Sequence, residues 1–246
     1  DKSANLIKKI IQDKSNIKFY KTENRGVSQA RNYGLIYSTA EWITFLDSDD
    51  YYEPNALNTI LNNLNQNIDL VIFEYYVKKE NHKKEIKKLI DKSFKDKYDF
   101  RENSIYLIKD ETLNAPWNKV YRRSIIISEN IIFPPKVSIG EDLFFNIDYI
   151  KHISNVMLIN NPLINYCIDS GEGLILSFRL DRLKIRLNII DKLRALYKYW
   201  DINSAIIEKV LTEMEIKDYI TYFMDFFKPK CSLSFDEKIY LVRKNI

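Results

Sequence analysis

An α/β fold with a mostly parallel sheet, followed by an all-helical C-terminal region, is what this sequence predicts. Within the first hundred residues the hydrophobic period switches repeatedly between the two-residue repeat of a strand and the 3.6-residue repeat of a helix. Strands separated by helical segments imply crossover connections, which favour parallel pairing. From Phe178 onward only the helical spacing remains. The 246 residues suffice for one large domain with an appendage, and the change of pattern divides the chain into residues 1–177 and 178–246.

The elements follow in order. Leu6, Ile7, Ile10 and Ile11 form one helical stripe, with Ser3 as its N-cap. Ile17 to Lys21 is short and β-prone. Val27 to Ser38 reads as a helix, weakened by Gly34. Glu41 to Leu46 is a strand that ends abruptly in acid. Pro54 suits the first turn of a helix whose stripe is Leu57, Ile60, Leu61 and Leu64. Asp69 to Val77 is a buried strand, and the lysine-rich stretch Lys78 to Lys97 reads as a solvated surface hairpin. Tyr98 to Pro135 is less periodic. Leu143, Phe144, Ile147 and Ile150 mark another helix, and Val156–Ile159 and Leu163–Cys167 two short strands. In the tail, Leu180, Leu183, Leu187, Ile190 and Leu193 keep helical spacing, as do Ile206, Val210, Leu211 and Met214.

Composition removes whole classes of function. Aromatic residues make up 13% of the chain, too many to stay solvated in a disordered protein. Cys167 and Cys231 are too few for a disulfide framework or a cysteine-based zinc site. His82 and His152 cannot supply a three-histidine metal centre, so a metal here is expected to be a hard cation on carboxylates. The net charge of +4 is mild, and no basic run interleaves with aromatics, so no nucleic-acid partner is expected. No apolar run has the length of a bilayer span and no signal peptide opens the chain, which reads as cytoplasmic, with peripheral contact at the inner face of the cell membrane left open.

Three segments carry chemistry. In Phe45-Leu46-Asp47-Ser48-Asp49-Asp50, three carboxylates in four residues repel one another at the end of an apolar strand. Asp47 and Asp49 point to the same side of an extended backbone, a spacing that suits a divalent ion with positions left for phosphate oxygens. The alternative is an acidic turn with Asp50 capping the next helix. In the second segment, Asn24 to Gly34, Gly26 permits a tight entry into a helix and Ser28 either caps it or contacts phosphate. Arg31, one turn further, reaches towards a diphosphate or base, or is an ordinary surface arginine. Glu141 and Asp142 open a helix, either as capping acids or as a general base beside a substrate hydroxyl.

Taken together, Asn-x-Gly-x-Ser-x-Ala-Arg-Asn-x-Gly, a ten-residue gap, Phe-Leu-Asp-Ser-Asp-Asp and a distant Glu-Asp-Leu resemble glycosyltransferase family 2 of the GT-A fold. Pro116-Trp117-Asn118-Lys119-Val120-Tyr121-Arg122-Arg123 is similar to a segment of bacterial members that build surface polysaccharides. The resemblance covers roughly residues 1 to 178. It implies an inverting transfer of a sugar from a nucleotide-diphosphate donor, with a UDP-sugar expected, to a glycan or lipid-linked acceptor in capsule, lipopolysaccharide or other surface glycan synthesis. On it, Asp47 and Asp49 hold Mg²⁺ or Mn²⁺ against the diphosphate, with Asp49 the direct ligand and Asp47 on ribose or metal-bound water. Asn24, Ser28 and Arg31 face the nucleotide, Asp142 deprotonates the acceptor hydroxyl, and Glu141 orients it. Trp117 offers an apolar face to a sugar ring or packs in the core, with Lys119 and Arg122 near anionic groups.

The sequence departs from the family pattern in two places. Tyr166-Cys167-Ile168-Asp169 stands where the family carries an aromatic segment with arginine, and no histidine is placed to be a third metal ligand; His152 reads as a helix-surface residue. The chain also opens at Asp1 on residues that resemble those following the family's second strand, so an upstream βαβ unit of the longer family pattern is expected, with the edge of Ile17–Lys21 left open in its absence. That feature favours a different function, a non-catalytic GT-A remnant serving as a binding or scaffold subunit; the retained Asp47, Asp49 and Asp142 oppose it. A haloacid-dehalogenase-type phosphatase expects Thr or Val two residues beyond its second Asp, and Tyr51 stands here instead. In the tail, Tyr219, Tyr222, Phe223, Phe226 and Phe227 precede Lys228, a pattern for a protein interface, for shallow contact with anionic lipid, or for packing on the first domain.

Overall fold

The structure is a computed structural model that describes residues 3–79, 82–137, 139–168, 178–228 and 231–245. Its elements are α1 (Ser3–Ile10), α2 (Val27–Tyr37), β1 (Trp42–Ile43), β2 (Tyr51–Tyr52), α3 (Ala56–Asn63), β3 (Leu70–Lys79), β4 (Glu85–Lys87), α4 (Lys97–Lys109), β5 (Lys119–Arg122), α5 (Arg123–Ser128), α6 (Glu141–Ile150), β6 (Val156–Ile168), α7 (Arg182–Tyr199), α8 (Ala205–Asp225) and α9 (Phe235–Asn245). The strands join in one sheet of order β1-β5-β3-β6-β2, with β4 added to β3.

The α/β class stands, but the sheet is not mostly parallel. Among the described residues only β3 and β6 run parallel; β1–β5, β2–β6, β3–β4 and β3–β5 are antiparallel. Helical segments between strands imply crossovers only when the strands come to lie in the same direction, and here β5 and β2 enter reversed. The lysine-rich hairpin forms, with Val77 opposite Glu85. The two short strands after α6 are one strand, β6, whose register shifts twice opposite Glu74. Ile17 to Lys21 joins no ladder, and the edge of the sheet is β1 instead. The acid-ended strand is only two residues long, because the chain leaves the sheet after Ile43 to form the site.

Leu70, Val71, Ile72 and Phe73 are completely buried at the centre of the sheet. Alternation sends Leu70 and Ile72 into one apolar cluster with Tyr121, Phe145 and Tyr149, and Val71 and Phe73 into a second with Ile60, Trp117 and Ile164. The aperiodic middle segment still yields α4, capped by Asp96, whose carboxylate accepts the backbone N–H groups of Tyr98 and Asp99. In the tail, Ile189, Ile190 and Leu193 of α7 and Val210 and Leu211 of α8 enter the first cluster. The helical tail is thus packed on the sheet domain. Tyr222 and Phe226, two of the tail aromatics for which interface, lipid contact and packing are all open, are buried with Leu183 between α7 and α8. Phe227 stands 85% exposed.

Candidate functional site

Past Ile43 the chain runs extended to a turn closed by the Asp50 N–H and the Asp47 carbonyl, 3.2 Å apart. Asp49 is exposed on this turn and Asp47 is half-buried. Asp50 is buried and does not cap α3, whose N-cap is Asn55. One Asp50 carboxylate oxygen accepts the Cys167 N–H at 2.9 Å, while the other has no protein partner. Burial pushes its carboxyl up to about 6 against that hydrogen bond, helped by Asp49 and Asp47.

The second segment delivers Arg31. Gly26 has φ +88°, a left-handed turn that glycine adopts at little cost, and Asn24 steadies it by accepting the Gly26 N–H at 3.3 Å. Helix α2 starts there, and Arg31 lies on its second turn, 10% exposed. Its guanidinium donates to Asp47 at 2.9 Å and to Asp142, and lies 3.5 Å from Glu141, while its flat face sits over the Phe133 ring. Phe133 is held there because its backbone exchanges two hydrogen bonds with the Asn32 amide, at 2.8 and 2.9 Å.

Glu141 and Asp142 occupy the first turn of α6, where an anion faces the helix dipole favourably. The helix is entered through Gly140 at φ +75°, which favours glycine; a Cβ there would also stand 2.8 Å from the end of the Ile189 side chain of α7, which would have to shift. Burial pushes the Asp142 carboxyl from an ordinary 3.8 to about 7; Glu141 and Asp47 push the same way, and Arg31 and Lys119 oppose them. A carboxylate poised near neutrality is suited to proton transfer at physiological pH.

Arg31, Asp47, Glu141 and Asp142 therefore meet, across 111 residues of sequence. Asp49 and Asn24 stand exposed on the segments that lead into the cluster, and the buried hydroxyl of Ser28 has no protein partner and caps nothing. Asp47 and Asp49 offer hard oxygen donors, which fit Mg²⁺ or Mn²⁺, and the unpaired oxygen of the neighbouring Asp50 fits an environment that receives a cation. Among the described residues no three His, Cys, Asp or Glu side chains form a ready cage, so a cation here would draw ligands from elsewhere.

The residues read as acceptor contacts are placed differently. Trp117 is 5% exposed, its face stacked on Tyr166 at 4.9 Å and its edge met by Tyr75, so it takes the core alternative. Lys119 is fully buried and donates to the carbonyls of Thr112 and Ala115 and to the Asn118 side chain, leaving no proton for a sugar. Arg122 ties the Ile68 and Asn65 carbonyls and Glu41 together over the Trp42 ring. Both side chains are taken up by contacts within the protein, because β5 lies inside the sheet between β1 and β3. His152 pairs with Glu129 at 3.1 Å, apart from the cluster. Phe133, the floor under Arg31, is not singled out in the sequence; Tyr166, noted there only as a departure from the family pattern, has its hydroxyl pKa raised by burial and by Asp50, Asp49 and Asp47. The Arg-Asn pair was a usable signal for the first, since Asn32 is what holds Phe133.

A family model described as "Glycosyl transferase family 2" matches residues 1–128. The putative glycosyltransferase EpsH of Bacillus subtilis (strain 168) is 29% identical over 171 residues, 68% of this chain and 49% of that protein. The poly(ribitol-phosphate) beta-N-acetylglucosaminyltransferase TarP of Staphylococcus aureus (strain N315) is 31% identical over 157 residues, 62% of this chain and 45% of its own. The chain spans about half the length of these relatives. Among solved structures, S. aureus TarS 1–349 in complex with UDP-GlcNAc superposes with a TM-score of 0.68 at 17% identity, over 99% of this chain and 67% of that one. That likeness shows the GT-A fold.

Proposed function

The chain belongs to glycosyl transferase family 2, and we propose on that footing that it transfers a sugar, with inversion, from a UDP-sugar to an acceptor hydroxyl in bacterial surface glycan synthesis. The observation that carries the reading is Arg31 bridging Asp47 and Asp142, because it sets an acid that suits the donor side beside an acid that suits the acceptor side. Asp49 and Asp47 would hold Mg²⁺ or Mn²⁺, which neutralises charge on the departing diphosphate. Asp142 takes the proton from the acceptor hydroxyl as that oxygen attacks the anomeric carbon from the face opposite the diphosphate. One base suffices for a single displacement, as in inverting glycosidases. Glu141 orients the acceptor, and Arg31 aims Asp142 and favours its ionised form. Asn24 and Ser28 border the nucleotide. The activities for which the relatives are named, and UDP-GlcNAc in the TarS crystal, support the donor class.

Isothermal titration with UDP and Mn²⁺ tests the donor side. Asp49→Ala is expected to lose Mn²⁺-dependent UDP binding by at least tenfold while melting within a degree or two of the parent, since Asp49 is exposed among like charges. Unchanged binding would remove Asp49 from the metal site.

For the acceptor side we propose peripheral contact with an anionic bilayer, where a lipid-linked acceptor resides. No helix of the described residues is long and apolar enough to cross a membrane. Ile216, Ile220, Met224 and Phe227, however, form one exposed stripe on α8 and just past its end, flanked by Lys217 and Lys228. Flotation with phosphatidylglycerol vesicles at low salt should carry the protein, and Ile220→Glu with Met224→Glu should release it. No flotation at low salt would leave the stripe to a protein partner.

A further inference from the structure

We infer that Lys119 is a positioning residue for the transfer reaction: it locks the strap of residues 112–117 against the helix that bears Asp142. The inference rests on the reading of Asp142 as the base.

Lys119 and Tyr121 are two apart on β5 and face the same side of the sheet, where the rest of the core is apolar. A lysine there gives up its hydration, and that loss is offset only if its protons are well placed. In the charged form all three are, against burial that pulls the amine down to about 7: the nitrogen lies 2.7 Å from the Thr112 carbonyl, 2.5 Å from the Ala115 carbonyl and 2.7 Å from the Asn118 side-chain oxygen. The strap is held from its other side by Asn146, whose amide donates to the Leu113 carbonyl at 2.7 Å and reaches those of Asn114 and Ala115. Asn146 accepts in turn from the Tyr121 hydroxyl at 2.6 Å. It lies four residues after Asp142, one turn along the same face of α6. On its main chain, Lys119 accepts the Thr44 hydroxyl at 2.9 Å, three residues ahead of Asp47. One residue thus touches the chain leading to Asp47 and, through the strap and Asn146, the turn bearing Asp142. A buried network in which Lys119 and Asn146 have all their donors engaged favours a single geometry, which a pair of acids that must meet one arginine requires.

Hydrogen exchange of the full chain decides the point. In Lys119→Met the amides of residues 141–146 should exchange at least tenfold faster while those of α8 are unchanged. Asn146→Asp, which keeps the Tyr121 contact and loses the donors, should do the same and serves if the first variant does not fold. Hydrolysis of UDP-GlcNAc with Mn²⁺, in which water takes the place of the acceptor hydroxyl and UDP is released, should show kcat down by tenfold or more, with KM within twofold. Unchanged exchange at 141–146, equal acceleration in α6 and α8, or a lower melting temperature with unchanged kcat would overturn the inference. Full UDP release by Asp142→Asn in the same assay would instead overturn the base reading and leave the exchange result to judge Lys119.

Discussion

Asp142→Asn should lower transfer by two to four orders of magnitude, the worth of a positioned base, with donor affinity retained. The asparagine keeps the shape of the side chain and an oxygen for Arg31, but it cannot take a proton. The same variant should carry a signed pH effect on stability. In the unfolded chain Asp142 ionises near 3.8 and in the folded one near 7, so between those values the unfolded state holds fewer protons and the fold weakens as pH rises. The asparagine is free of that loss. Its melting temperature relative to the parent should therefore rise from pH 4 to pH 7 and then level off. Parent activity should fall below about pH 7, as the base becomes protonated. Near-parental transfer by Asp142→Asn would move the base to Glu141 or elsewhere.

What could be read in the sequence was local, and what could not was pairwise. The strand Leu70–Phe73 and the helix of Leu143, Ile147 and Ile150 declare themselves by period, and both are where the periods put them. Strands of two and four residues are too short to show a period, so β2 and β5 are not legible, and with them the antiparallel pairing they bring. The acidic turn and the Glu141-Asp142 pair were legible as chemistry because unpaired like charges are costly without a purpose. Their meeting at Arg31 was not, since nothing in Ala30-Arg31-Asn32 says which carboxylates 16 and 111 residues away will share one guanidinium. Lys119 shows the same limit: its residue type suggests an exposed cation, and only its place on an interior strand makes it a buried donor.

Arg31→Met should be the most destabilising change at the site. It removes the only cation in direct contact with Asp47, Glu141 and Asp142 among the described residues. Losing one partner of a fully buried pair costs about 3–5 kcal/mol; because Asp47 and Asp142 keep some water, about 2–3 kcal/mol is expected here at pH 8. For a chain of this size that is a fall of roughly 5–10 °C in melting temperature. The sign with pH follows from Arg31 lowering the Asp142 carboxyl: the help is present above about pH 7 and is lost as pH falls through that value, so the gap to the parent should narrow towards pH 5. The pH at which transfer sets in should also move upwards, because Asp142 without Arg31 holds its proton longer. Arg31→Lys keeps the charge but not the fork, and one ammonium cannot take the places of two guanidinium nitrogens on Asp47 and Asp142. It should recover part of the stability and little of the transfer. A methionine variant that melts with the parent at pH 8 would show that the three carboxylates do not depend on this arginine, and the coupling between donor and acceptor sides proposed for it would fall.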